Sequence, residues 1–155
     1  MKVKDIMTPR VIRISPEESA AVAARTLTHY NIGVLPVCGG DGRLCGMLTD
    51  RDIVTRCLAA GWRAEDTPVS SIMTNRVVAA APDMDVSAAA SLMARQQVRR
   101  LPVVDRGNLC GVVSLGDLSR QEQSAPDATD ALAEISSNVA DGEKRYFENF
   151  EKSRK

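Results

Sequence analysis

Two short stretches of this chain carry residue types at a spacing that suits a binding site. Thr49-x-x-Asp52 and Ser114-x-x-Asp117 each follow a glycine and two apolar residues, Gly46-Met47-Leu48 and Gly111-Val112-Val113, and each opens a helical run. Such a pair reads first as a capping box, in which hydroxyl and carboxylate satisfy the opening amides of a helix. The same geometry suits a sugar phosphate. A helix N-terminus favours an anion, the Thr or Ser hydroxyl adds a donor, and an Asp one turn in is a two-point acceptor for the hydroxyls of a ribose. The two readings are compatible, and both stand here. Arg51, inside the first motif, is placed to neutralise a phosphate. The second motif has Gly116 there, so its phosphate support falls to Arg99 or Arg100.

No other group of residues suggests catalysis. His29 is the one histidine, and Arg95 takes its place in the second half, so it reads as a solvated side chain near a helix end. There is no Gly-x-x-x-x-Gly-Lys-Ser/Thr loop and no Gly-x-Ser-x-Gly elbow. The acidic residues show no metal-ligand spacing. Cys38, Cys45, Cys57 and Cys110 form no Cys-x-x-Cys pair and read as reduced thiols in or near the core. The expectation is a chain without catalytic or metal-binding residues.

The two motifs sit in equivalent places because the chain is a duplication. Val3-Lys4-Asp5-Ile6-Met7-Thr8 is answered by Val69-Ser70-Ser71-Ile72-Met73-Thr74, Pro16 by Pro82, and Leu35-Pro36-Val37 by Leu101-Pro102-Val103. A one-residue deletion then brings Gly46-Met47-Leu48-Thr49 into line with Gly111-Val112-Val113-Ser114. The reading divides the chain into a first repeat over 1–61, a linker over 62–68, a second repeat over 69–120 and a tail over 121–155. Units this small bury too little surface to stand alone, so the repeats are expected to pack about a pseudo-two-fold axis.

Each repeat reads as strand, helix, strand, strand, helix, an α+β class. Strands are expected at Val11–Ile14 and Val77–Ala80. Ser19 and Asp85 read as N-caps. Ala20, Ala23, Ala24 and Leu27 then line one helix face, as do Val86, Ala89, Ala90 and Met93. Hairpins follow, Val34–Val37 with Leu44–Leu48 and Leu101–Val104 with Leu109–Val113, turning at Gly39-Gly40-Asp41-Gly42 and Arg106-Gly107-Asn108. The final helices begin at Thr49 and Ser114, the first ending near Gly61. The tail is expected to start flexibly and then form a helix over Asp130–Val139, with Leu132, Ile135 and Val139 on one side. Tyr146, Phe147 and Phe150 lie near its end, and the tail either folds back onto its own core or a dimer mate or docks a protein partner.

Composition excludes several classes. Of 155 residues, 44% are hydrophobic and 26% charged, as in a globular protein. Twenty basic residues offset twenty acidic ones, so despite the local cluster of Arg95, Arg99 and Arg100 there is no basic excess for a nucleic acid. No apolar run reaches the roughly 20 residues of a membrane span, and the N-terminus lacks a signal-peptide core. The expected location is the cytoplasm.

Taken together, Asp5-Ile6-Met7-Thr8, Ile32-Gly33-Val34-Leu35-Pro36-Val37 and Gly46-Met47-Leu48-Thr49-Asp50-Arg51-Asp52, with their second copies, resemble the CBS domain. The duplication resembles a CBS pair, or Bateman module, over about residues 1–120, as in stand-alone bacterial two-CBS proteins. The resemblance implies a sensor of an adenosyl ligand: AMP, ADP or ATP, or S-adenosylmethionine. Thr49 and Asp52 would hold one ligand, and Ser114 and Asp117 another, the hydroxyl at the phosphate end and the Asp on the ribose. Val11, Ile12, Val34 and Pro36 would line the first base pocket, and Val77, Val78, Arg100 and Pro102 the second. It also implies a homodimer, a flat disc of four repeats joined through apolar helix faces. With no effector domain attached, output would pass through a protein partner or oligomeric state.

Overall fold

The duplication seen in the sequence recurs in the backbone hydrogen bonds. The computed structural model describes residues 1–153, the side chains of Tyr146, Phe147, Phe150 and Ser153 apart. The terminal aromatic cluster therefore lies outside the described residues. In chain order the elements are α1 (Val3–Ile6), β1 (Thr8–Pro9), α2 (Ala20–Tyr30), β2 (Val34–Cys38), β3 (Leu44–Thr49) and α3 (Asp50–Asp52), which continues as wider π-helical turns over Ile53–Leu58. After a 3-10 turn at Val69–Ser71 come α4 (Val86–Gln96), β4 (Arg100–Asp105), β5 (Asn108–Ser114), α5 (Leu115–Ser119) and α6 (Ala125–Ser153).

The chain forms two compact units that interleave along the sequence. One comprises Met1–Met7, Ala80–Leu101 and Val112–Lys155; the other comprises Thr8–Ala79 and Pro102–Gly111. The opening segments explain the pattern. Val3 and Lys4 donate to the carbonyls of Met84 and Pro82, both at 2.9 Å, inside the former unit. Their counterparts Val69 and Ser70 donate to Glu18 and Pro16, at 2.8 and 3.0 Å, inside the latter. Each repeat thus lends its first residues to the turn ahead of the other repeat's first helix.

The expected strands Val11–Ile14 and Val77–Ala80 pair only through their last residues, Ile14 and Ala80. Ile14 donates to Pro36 at 3.0 Å and accepts from Cys38 at 2.9 Å, a parallel bridge one residue long. Arg10 is left-handed at φ 53°, which turns the chain just ahead of this segment. The helices behave more closely as read. Ser19 caps α2, its hydroxyl accepting from the Val22 amide at 3.2 Å. Asp85 occupies the equivalent place on α4 without a capping bond, because its carboxylate is drawn to Lys2 at 2.9 Å. On α4 the buried stripe is the expected one, extended by Ala94; on α2 Ala21 is buried and Ala24 only half-buried.

β2 and β3 pair antiparallel from Val34↔Thr49 to Cys38↔Leu44, with a bulge at Val37/Cys38. The second sheet has the order β1-β5-β4. Its hairpin turns at Arg106 and Gly107, both with positive φ (49° and 89°), as a tight two-residue connection requires. The two hairpin tips hydrogen-bond each other: Leu44 to Gly107 O at 3.1 Å and Leu109 to Gly42 O at 3.3 Å. Gly46 lets another segment come close, since a Cβ there would sit 2.7 Å from Met73 Sδ and from the Thr74 carbonyl oxygen.

Ile14, Ala20, Ala23, Leu27, Leu35, Val37, Leu48, Ile53, Cys57, Val69 and Ile72 form one hydrophobic core. In the other unit α6 packs on α4 and α5. Its buried residues are Ala128, Ala131 and Ile135, whereas Leu132 and Val139 stay exposed. The expected Leu132/Ile135/Val139 stripe is therefore rotated: small side chains let α6 come close to the alanines of α4. The expected flexible start of the tail is an ordered turn, in which buried Ser124 donates to the Leu118 carbonyl at 2.7 Å. Of the four thiols, Cys38 and Cys57 are buried, Cys110 is half-buried and Cys45 is exposed, so Cys45 departs from the core reading. Burial pushes the Cys38 and Cys110 thiols up, which keeps them protonated.

Candidate functional site

Both motifs form full capping boxes where a strand meets a helix. In the first, Thr49 N–H donates to Asp52 Oδ2 at 2.9 Å, and Asp52 N–H donates to Thr49 Oγ1 at 3.1 Å. In the second, Ser114 N–H donates to Asp117 Oδ2 at 2.8 Å, and Asp117 N–H donates to Ser114 Oγ at 3.2 Å. The helix start is tied in both to the residue just ahead of the hairpin's first strand: Asp50 N–H to Gly33 O at 3.2 Å, Leu115 N–H to Arg99 O at 3.0 Å. Arg51 N–H is also engaged, by the Asp50 carboxylate at 2.8 Å. The opening amides of the first motif are thus already paired. The helix amides expected to hold an anion are taken, and the Thr49 hydroxyl and the exposed Arg51 guanidinium are the donors left at this helix start.

The remaining donors and acceptors differ between the copies. Asp52 Oδ1 lies 3.8 Å from Arg56 Nε, beyond hydrogen-bond range. The Arg56 Nη1 group is turned away, donating to the Ile72 and Met73 carbonyls at 3.2 Å each. Asp117 has no such spare oxygen. Its Oδ2 also accepts from the Ser114 hydroxyl at 2.6 Å, and its Oδ1 pairs with the Arg120 guanidinium. Sequence reading named neither Arg56 nor Arg120, although Asp-to-Arg spacings of four and three residues on a helix are a readable signal.

Of the residues expected to line the first base pocket, Val11, Ile12 and Val34 are half-buried and Pro36 is buried, and Val34 pairs with Thr49 across the hairpin. All four belong to the unit that holds Thr49, Arg51 and Asp52. Of those expected at the second motif, Arg99 and Arg100 are exposed and share a unit with Ser114 and Asp117, while half-buried Val77, exposed Val78 and buried Pro102 belong to the other unit. A shallow, open depression lined by Trp62, Arg63, Asp66, Thr67, Pro68 and Ser71 includes none of the expected residues. His29 is exposed, as expected. Among the described residues no group of three or more His, Cys, Asp or Glu is placed to hold a metal ion.

Comparison with known proteins agrees with this architecture. The family model of the CBS domain matches residues 3–59 and 69–123. The chain is 46% identical over 134 residues to the CBS domain-containing protein YhcV of Bacillus subtilis, covering 86% of this chain and 94% of that one. It is 35% identical over 117 residues to hypoxic response protein 1 of Mycobacterium tuberculosis, covering 76% of this chain and 82% of the relative. A crystal structure of hypoxic response protein I, which holds two coordinated zinc ions, superposes with a TM-score of 0.73 at 34% identity, covering 78% of this chain and 98% of that one. Two solved CBS structures carry adenosyl compounds. The CBS pair of MJ0100, with 5′-methylthioadenosine and S-adenosyl-L-methionine, is 32% identical with a TM-score of 0.69 (77% and 94% covered). CBSX2 with AMP is 28% identical with a TM-score of 0.69 (77% and 93% covered).

Proposed function

The chain belongs to the CBS domain family, with two repeats, and from that premise we propose that it is a regulatory module that binds an adenosyl ligand and catalyses no reaction. The observation that carries this reading is the first motif. Asp52 Oδ1 stands 3.8 Å from Arg56 Nε, too far for a hydrogen bond, which leaves it able to accept a ribose hydroxyl. In this reading the Thr49 hydroxyl and the exposed Arg51 guanidinium take a phosphate, and half-buried Val11, Ile12 and Val34 with Pro36 take the base; the pairing of Val34 with Thr49 supports it. AMP, ADP, ATP and S-adenosylmethionine are the ligand class. The adenosyl compounds held by MJ0100 and CBSX2 support it. Binding biases the module between two shapes by its differential affinity for them.

A homodimer of four repeats, working in the cytoplasm, completes this reading. The first repeat offers an apolar helical face for it, with Val54 and Leu58 more than half exposed. The zero formal charge fits a small-molecule and protein role better than a nucleic-acid one. No helix among the described residues is long and apolar enough to cross a membrane.

The test is a thermal-shift panel with AMP, ADP, ATP and S-adenosylmethionine. A ligand at 100 times its dissociation constant stabilises the fold by about 2.7 kcal/mol. Stabilisation by one of them, lost in Asp52→Ala, is the expected result. No shift with any of them favours a second reading, an interaction module working through its tail. Leu132 and Val139, exposed at 42% and 57% on α6, are the observation behind it. Its test is removal of residues 121–155, which must then abolish capture of a protein partner.

A further inference from the structure

We propose that Arg120 is an internal competitor for the second ligand position, so that the chain holds one adenosyl ligand per copy at the first motif until this side chain is displaced. The inference rests on the adenosyl-binding reading above and assigns a specificity-determining role to a residue outside the motif.

The argument starts from hydrogen-bonding capacity. A ribose edge offers hydroxyl donors, and a carboxylate oxygen already held by a cation competes for them less well than one that is not. Both Asp117 oxygens are engaged: Oδ2 takes the Ser114 amide and the Ser114 hydroxyl, which fills its two lone pairs, and Oδ1 takes the Arg120 guanidinium. The Ser114 hydroxyl proton is consumed by the same carboxylate, so it is not offered to a phosphate. In the first copy Asp52 Oδ2 takes the Thr49 amide. The position equivalent to Arg120 is Thr55, and the arginine one residue further on, Arg56, stands 3.8 Å from Oδ1 while its Nη1 donates to two backbone carbonyls.

The Arg51-to-Gly116 difference contributes directly. A Cβ on Gly116 would lie 3.8 Å from Arg120 Nη1 and 3.5 Å from Ser114 Oγ. A side chain at 116 would therefore start in van der Waals contact with the Arg120 guanidinium, and a long one such as arginine would bring a second cation beside it. Arg120 ends α5, and the turn that follows is pinned by the buried Ser124 bond to Leu118. That bond holds the base of the side chain in place, while the side chain itself is 69% exposed and free to swing out.

The experiment is calorimetric titration of the full chain with AMP and, separately, with S-adenosylmethionine. It compares wild type, Arg120→Ala, Gly116→Arg, Arg56→Ala and the double variant Arg120→Ala/Asp117→Asn. Wild type is expected to bind one equivalent per chain. Arg120→Ala and Gly116→Arg are expected to gain a second equivalent, its affinity rising roughly three- to tenfold, with first-site affinity unchanged. Asp117→Asn removes the gain, and Arg56→Ala adds none. Circular dichroism confirms that each variant folds. Two equal equivalents in wild type, or one equivalent in both wild type and Arg120→Ala, overturn the competitor role while leaving the adenosyl reading intact. Binding by none of the chains overturns both.

Discussion

The two repeats make the same bonds from the same positions, yet they finish differently. In the first copy the motif retains a spare carboxylate oxygen, and the outer helical face is bare, with Val54 and Leu58 exposed. In the second both carboxylate oxygens are engaged, one of them by Arg120, and α6 packs on α4 and α5, where Leu118 and Ala94 are buried. A duplicated frame fixes backbone geometry through capping boxes and strand ties. The side chains just beyond the motif decide what each copy has left to offer.

The largest expected effect tests the covered face. Leu118→Ala, at a fully buried site under α6, should cost about 3 kcal/mol, and Ile135→Ala about 2 kcal/mol. Val54→Ala and Leu58→Ala on the bare face should cost under about 0.5 kcal/mol. Urea denaturation measures all four, and equal losses on the two faces would erase the contrast. Next comes the motif itself. Asp52→Ala should weaken AMP or S-adenosylmethionine binding by about tenfold or more. Asp117→Ala should leave wild-type ligand affinity nearly unchanged while lowering the melting temperature, because the Ser114 amide loses its acceptor.

A smaller difference separates the N-caps. Ser19→Ala should cost about 1 kcal/mol, whereas Asp85→Ala removes no capping bond and should cost less in the same assay. The smallest effect is a pH dependence. The Lys2 ammonium holds the Asp85 carboxyl below its usual range through a hydrogen bond and its charge, and Lys4 does the same for Asp83, whose carboxylate in turn raises the Lys4 ammonium. A depressed carboxyl contributes stability above its unfolded pKa of about 4, lost as pH falls through the folded value. A raised ammonium contributes below about pH 10.4, lost as pH rises past its folded value. Melting curves of wild type and Lys2→Met/Lys4→Met should therefore differ slightly at neutral pH and converge toward pH 2. A constant offset down to pH 2 would show that these pairs are not its source.

The frame was legible in the sequence because repetition and periodicity are local signals. The 66-residue spacing from Val3 to Val69, the Ser19 cap and the α4 stripe need nothing beyond one repeat. What escaped depended on competition between neighbours. Asp85 reads as a cap, but Lys2, distant in sequence, takes its carboxylate. The tail reads as a Leu132/Ile135/Val139 stripe by hydropathy, but side-chain size decides, and Ala128 and Ala131 face inward. Val11 and Val77 read as strand residues, but only Ile14 and Ala80 find a bridge. At the site, the hydroxyls and carboxylates were read from spacing alone; that Arg120 would engage one of them and Arg56 would spare the other is a matter of where two guanidiniums come to rest.

The exchange of opening segments also bears on how the chain is made. A ribosome delivers residues in order, and domains generally fold as they emerge. Here neither unit is complete when its first residues appear. Residues 1–7 wait for Ala80–Leu101, and the first repeat waits for Pro102–Gly111, whose hairpin tip supplies bonds to Gly42 and Leu44. The opening segment of the first repeat and the tip of its hairpin thus take their partners from residues synthesised later in the chain.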